Sequence, residues 1–397
     1  MRNTIIGIVI GVVVGVMIGA TVVAPRLEQA RHLPRGATPG GSDVPGAETL
    51  GLSSDPASDP APNTTFSGAL STLQAPTNRL RIISLYPGKT PILGELPLRL
   101  QTALPIASGG RLGVTVYDPG TLVEERDTLN AVMSGTVEAA FATPGQLDPD
   151  APALQLFTAV PFGPDAQEHL AWYYHGGGRE LFDATMSKRG LHATLCGAIP
   201  PLASGWYRAP LREAEDFKGL NVRALGLGGN VLAKLGVNVQ RLKAGDILSQ
   251  FEQGHLDGAE YSLPSIDAQM GFQKFARNYY FPGWRQPVTL FALAINAQVW
   301  SGLPEFDRAA IETVCGDNVR HALVQADAQQ FEALKNLSLA GVQVRRWPDA
   351  ILQALQAAWK DVARAQVQTD EDFAKVWASL QKFHRDYAIW REISRFN

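Results

Sequence analysis

The sequence predicts an α/β fold of βαβ units with a mainly parallel sheet, divided over two domains. Three observations carry this expectation. Strand-like apolar runs alternate with helical patterns at βαβ spacing. A second series of the same kind follows the first. At 397 residues, the chain exceeds what one ordinary core takes up.

The folded part is expected to open at "NRLRIISLYP". There Leu80, Ile82, Ile83 and Leu85 make a short strand that Tyr86, Pro87 and Gly88 end. A helical pattern covers roughly 93–107, and "GRLGVTVYDPG" is a second strand closed by a Pro-Gly turn. "LVEERDTLNAVMSG" reads as a helix, with Leu122, Leu129, Val132 and Met133 near a 3.6-residue period. "VEAAFATP" is a third strand. The second series runs through "HATLCGAIP", "NVRALGLGG", "KLGVNVQRL" and "DGAEYSLP"; "TLFALAINAQVW" reads as one long strand. From Phe306 onward the pattern is mostly helical.

Two segments precede this part. Residues 5–24 are charge-free and strongly apolar. As a helix of about 20 residues they would rise roughly 30 Å, the thickness of a bilayer's hydrocarbon core. The length of the run, and Pro25 directly after it, favour an uncleaved signal anchor over a cleaved signal peptide. Arg2 points the short N-terminal end to the cytoplasm and the rest of the chain outside. Gly7, Gly11, Gly15 and Gly19 recur every fourth residue, either as a helix-pairing face or because glycine is common in such segments. From residue 25 to 78 the chain holds eight prolines and a single aromatic, Phe66. That composition buries too little apolar surface to offset ordering entropy, so a disordered tether is expected, with a reach on the order of 40 Å.

Composition excludes several function classes. A net charge of −3 and a pI near 6.2 give no basic footprint for nucleic acid. Cys196 and Cys315 form no CxxC or Cys/His cluster, so a structural zinc site is not expected. The two thiols could pair in an oxidising compartment, but two separate buried thiols are the expectation. The seven histidines include no H-E-x-x-H. There is no G-x-S-x-G elbow either. His175, beside a glycine run, reads as a helix-terminal cap.

The most informative stretch is "GLNVRALGLGGNVLAKLG". It lacks the third glycine of a dinucleotide fingerprint and has no P-loop lysine. What remains is a glycine loop at a helix N-terminus, with Arg223 near the end of its strand. Open α/β sheets place ligands there. The planar arginine fork suits a carboxylate. The residues leave two roles open for Arg223: a carboxylate clamp, or a structural pair with a local acid such as Asp216. As a clamp it is expected to lie in open, hydrated space when no ligand is bound.

From about residue 80 to 391 the chain resembles the extracytoplasmic solute receptors of tripartite ATP-independent periplasmic (TRAP) transporters. The matching pieces include "GGRLGVTVYDPGTLVEERDTLNAVMSGTVEAAF", "AVPFG", "AWYYHGGGRELFD", "SGWYRAPL", "EDFKGLNVRALGLGGNVLAKLGVN", "FEQGHLDGAEYSLPSIDAQMGF" and "NYYFPGWRQP", in the family's order and spacing. "AEYSLPSIDAQMGF" with "YYFPGW" looks most like the branch that binds 2-oxo and 2-hydroxy monocarboxylates. The resemblance implies a two-lobed periplasmic-binding-protein architecture with mixed, mainly parallel sheets, hinge strands and a long connecting helix. It implies residues 79–202 with 288–325 for a first lobe. Residues 203–287 with 326–397 would form a second that carries the connecting and C-terminal helices. It implies Arg223 as the carboxylate clamp, Glu260 and Tyr261 as the pair that holds a cation and the ligand, and Trp206 and Tyr86 as aromatics near the cleft. The implied partners are a small organic acid and the membrane subunits of a TRAP transporter.

One departure matters. That branch carries a glutamine four residues before the tryptophan of its "GWF", where it gives an oxygen to the cation. Here the position is Leu202, which offers none. No cofactor is therefore fixed by the sequence: a sodium or calcium ion is implied by the resemblance and weakened by this residue. Glu260 is left to pair with an arginine or to accept a ligand hydroxyl. The expected function is delivery of a small organic acid to a permease, without catalysis; a membrane-tethered sensory ectodomain that binds a carboxylate is the alternative.

Overall fold

The computed structural model describes residues 75–394. The apolar run at 5–24 and the Pro-rich segment up to residue 74 lie outside them. Among the described residues no helix is long and apolar enough to cross a membrane.

The strands are β1 (Asn78–Ser84), β2 (Leu112–Tyr117), β3 (Ala139–Ala142), β4 (Leu191–Ile199), β5 (Gly205–Tyr207), β6 (Asn221–Arg223), β7 (Asn238–Gln240), β8 (Gly258–Ala259), β9 (Asn278–Phe281), β10 (Thr289–Asn296) and β11 (Gln343–Arg346). The helices before the second sheet are α1 (Glu95–Ala107), α2 (Thr128–Met133), α3 (Pro144–Leu147), α4 (Pro152–Leu156), α5 (Ala166–His175) and α6 (Gly178–Ser187). Then come α7 (Gly226–Lys234), α8 (Ala244–Glu252), α9 (Pro264–Met270), α10 (Ala297–Gly302), α11 (Glu305–Leu339), α12 (Asp349–Thr369) and α13 (Glu371–Ser394).

Two sheets form, ordered β2-β1-β3-β10-β4 and β11-β9-β5-β8-β6-β7. Both are mixed. In the first, β1 runs parallel to β2 and β3, while β10 is antiparallel to β3 and β4. In the second, β6 is parallel to β7 and β8, β9 to β11, and β5 is antiparallel to both its neighbours. Strand β10 is buried at every position, as a strand flanked on both edges and both faces must be.

Local chemistry explains where the elements stop. "TLFALAINAQVW" is a strand only as far as Asn296. There the Asn296 side chain accepts from the Gln298 and Val299 backbone N–H groups at 3.0 and 3.2 Å and starts α10. "LVEERDTLNAVMSG" shortens to a single 3₁₀ turn at Glu125–Asp127 and the six residues of α2.

Helix α11 has 35 residues, roughly 50 Å of rise. It packs against β4 and α1 beside the first sheet, and against α9 and β11 beside the second. Cys196 of β4 and Cys315 of α11 are joined by a disulfide with both residues fully buried, so the expectation of separate thiols is corrected. The pairing spans 119 residues, a separation that no local pattern reveals. α13 packs on α4, α5 and α6 beside the first sheet. The buried Glu168 carboxylate of α5 holds it there, accepting from Arg391 Nη1 at 2.7 Å and pairing with His384.

Candidate functional site

Arg223 ends β6 and is 6% exposed. Its Nη1 donates to the Glu260 carbonyl at 2.7 Å and its Nε to the Leu242 carbonyl at 3.2 Å. Its guanidinium lies over the Tyr261 ring, 5.7 Å from the centroid. Burial, then the like charge of Arg285, push it down to about 10, so it stays protonated at neutral pH. Among the described residues no carboxylate pairs with it. Asp216 is committed to capping, accepting from the Arg212 and Glu213 backbone N–H groups. The structural pair with Asp216 is thereby excluded. The expectation of an open, hydrated arginine is corrected too: backbone carbonyls hold this side chain in a buried place.

Glu260 follows β8 and is fully buried. Its Oε2 lies 2.9 Å from Arg285 Nε, yet neither carboxylate oxygen has an aligned hydrogen bond. The contact is one of charge on charge. Burial pushes the Glu260 carboxyl up to about 7, with the Arg285 and Arg223 charges pulling it down. Arg285, 5% exposed, is held by Gln286 Oε1 at 2.5 Å and the Tyr261 carbonyl at 3.4 Å.

The glycines that read as a loop are instead the first turn of α7. Their function is space. A Cβ on Gly228 would lie 3.1 Å from Arg285 Cβ and 3.2 Å from its Cδ. A Cβ on Gly226, whose φ is +58°, would lie 2.7 Å from Gln155 Oε1. Gln155 in turn donates to the Gly145 carbonyl at 2.8 Å. The stretch lets two side chains from elsewhere in the chain approach the backbone beside Arg223.

Tyr86 follows β1. Its hydroxyl donates to Gln146 Oε1 and accepts from the Thr143 N–H at 3.3 Å; its ring packs edge-on against Phe141 and Phe291. Burial raises its phenol well above the usual range. Tyr261, from the β8–α9 connection, packs against the same apolar cluster beneath the first sheet as Tyr86. Arg223, Glu260 and Tyr261 are therefore neighbours, and Tyr86 shares an apolar cluster with Tyr261. Trp206 stands behind them. It is fully buried and stacked on Tyr279 at 3.9 Å; its one N–H donates to Asp267 at 2.9 Å, so it has no donor left for a ligand. Asp267 also accepts from Tyr279 and from the Ser262 N–H, both at 2.9 Å, and burial pushes its carboxyl up to about 6.

Leu202 points into the apolar cluster that includes Leu263 and Ile266 and gives the site no oxygen. Among the described residues no three His, Cys, Asp or Glu side chains group to hold a metal. Asp267 accepts from three donors, and Glu260 already faces a guanidinium. At an effective dielectric of about 20, a further cation about 5 Å from either arginine would cost on the order of 3 kcal/mol. Of the two side chains in question for a cation, Leu202 has no oxygen and the Glu260 carboxylate faces the Arg285 guanidinium.

Sequence reasoning missed Arg285, Asp267 and Gln155. A signal for Arg285 existed: it is a lone charge within the otherwise uncharged run "NYYFPGWRQPVTLFALA". A concavity of about 480 Å³ is lined by Leu170, Tyr173, Val319 and Leu323 among others; its Arg179 is already paired with Glu312. It offers an acid no uncommitted charge comparable to Arg223.

Known proteins resemble this chain over most of its described length. The model for bacterial extracellular solute-binding proteins, family 7 (DctP), matches residues 85–370. A monocarboxylate 2-oxoacid-binding periplasmic protein of Nostoc is 31% identical over 290 residues, covering 73% of this chain and 80% of its own. A TRAP solute-binding protein of Bordetella bronchiseptica, solved with copurified calcium and picolinate in its active site, superposes with a TM-score of 0.77 at 30% identity, over 80% of this chain and 95% of its own. Its counterpart from Colwellia psychrerythraea, with bound calcium and pyruvate, gives 0.77 at 25% identity over 80% and 97%. That from Pseudoalteromonas atlantica, with bound sodium and pyruvate, gives 0.76 at 25% identity over 81% and 100%. With two mixed sheets that share one long helix, a buried arginine at the end of a strand of the second, and a family match over residues 85–370, this chain belongs to the DctP family of TRAP solute-binding proteins.

Proposed function

We propose that this chain binds a small 2-oxo or 2-hydroxy monocarboxylate outside the cytoplasmic membrane and delivers it to a TRAP permease, without turnover. The observation that carries the reading is Arg223: a buried guanidinium at the end of a strand, held by carbonyls and matched by no carboxylate of its own. A buried charge in that condition is stabilised by an incoming anion. Tyr261 under the guanidinium and Tyr86 opposite suit an acid with a small body. The 2-oxoacid-binding relative and the pyruvate-bound structures support the same ligand class. The buried disulfide supports an oxidising compartment. The apolar run at 5–24 supports a tether to the inner membrane.

The test is a thermal-shift screen of pyruvate, lactate, picolinate and small dicarboxylates, with NMR of the incubated acids. A ligand at 100 times its Kd should add about 2.7 kcal/mol of stability. Its spectrum should be unchanged after incubation, and conversion of the acid would contradict the receptor reading.

A further inference from the structure

We propose that the Arg285 guanidinium supplies, as part of the chain, the positive charge that three solved relatives take up as calcium or sodium together with their acids, so that this protein binds its carboxylate without a metal ion. The inference rests on the acid-binding reading above.

Glu260 is a fully buried carboxylate and needs a counter-charge. Arg285 Nε stands 2.9 Å from it, itself 5% exposed and fixed by Gln286 and the Tyr261 carbonyl. Room for the arginine stem is built in, since a side chain on Gly228 would press on it. A hard cation asks for several oxygen ligands. Leu202 gives none, and the other nearby acid, Asp267, is engaged by Trp206, Tyr279 and the Ser262 N–H. An ammonium or guanidinium tethered in this way does not dissociate, so ligand affinity becomes independent of the ion content of the medium.

The experiment is calorimetric titration of the full chain with pyruvate at pH 8, where Glu260, at about 7, is ionised. One sample is dialysed against EDTA into choline chloride; the others receive sodium chloride or calcium chloride. The expected Kd agrees within threefold across the three. Binding that requires sodium or calcium by tenfold or more overturns the inference while leaving the acid-binding reading intact. No heat with pyruvate, lactate or picolinate in any buffer overturns both. Arg285→Gln should weaken ion-free binding by at least 30-fold and make it respond to calcium; wild-type affinity in that variant counts against the inference. Arg285→Lys, which keeps the charge, should stay within about tenfold of wild type and remain indifferent to ions. Ion dependence in the lysine variant would contradict the role given to the tethered charge.

Discussion

Arg223→Ala separates a ligand clamp from a structural arginine. In the folded protein the guanidinium donates to the Glu260 and Leu242 carbonyls from a nearly dry position. Hydrogen bonds from charged donors contribute about 1.5–3 kcal/mol each. Removing them is offset in part by relief of the repulsion between Arg223 and Arg285. A net loss of about 1–3 kcal/mol follows, a fall on the order of 1.5–5 °C in Tm for a fold of this size. Ligand affinity should fall much further. Truncating one partner of a buried charge pair costs about 2–5 kcal/mol, or roughly 30- to 4000-fold in Kd. Arg223→Lys should recover part of the stability and little of the affinity, since an ammonium cannot make the two-pronged contact. The assay is calorimetric titration with pyruvate beside a melting curve of the same sample. A lowered Tm with unchanged affinity would refute the reasoning: Arg223 would then be a brace for the β8–α9 connection and nothing more.

Three further outcomes are expected. His169 is fully buried with neither ring nitrogen hydrogen-bonded, and burial pushes it down to about 4. The unfolded ring takes its proton near pH 6.5 and the folded one only near 4, so its contribution is intact above 6.5 and lost as pH falls through that window, by about 3 kcal/mol. The stability of wild type relative to His169→Leu should fall by about 3 kcal/mol as pH is lowered from 7 to 4; a difference that stays constant with pH would contradict this. Reduction of the Cys196–Cys315 bond, which closes a loop of 119 residues, should lower stability by up to about 5 kcal/mol, read as the denaturant midpoint with and without reductant. If residues 5–24 are an uncleaved anchor, the native protein should fractionate with membranes and show the intact mass; a start near Thr21 or Pro25 would contradict it.

Much of the fold is legible in the sequence because strands here are apolar runs bounded by Gly and Pro, and the resemblance orders them. The resemblance marks Arg223 and Glu260 together; in the fold Arg223 ends β6 and Glu260 follows the adjacent parallel strand β8. What escaped was long-range. The glycines of α7 look like a ligand loop until Gln155 and Arg285, from distant segments, are seen filling the space they leave. The two cysteines sit in unremarkable apolar surroundings, and only the packing of α11 on β4 brings them together. Trp206 reads as a cleft aromatic but spends its N–H on Asp267, a residue whose burial no local pattern announces.

The central claim is that this protein captures a small monocarboxylate on Arg223. Direct titration of the purified full chain with pyruvate tests it most plainly. Saturable one-to-one binding, lost by at least 30-fold in Arg223→Ala while that variant still melts cooperatively, is the predicted result. Absence of binding by pyruvate and related 2-oxo and 2-hydroxy acids, or binding that Arg223→Ala leaves unchanged, would contradict it.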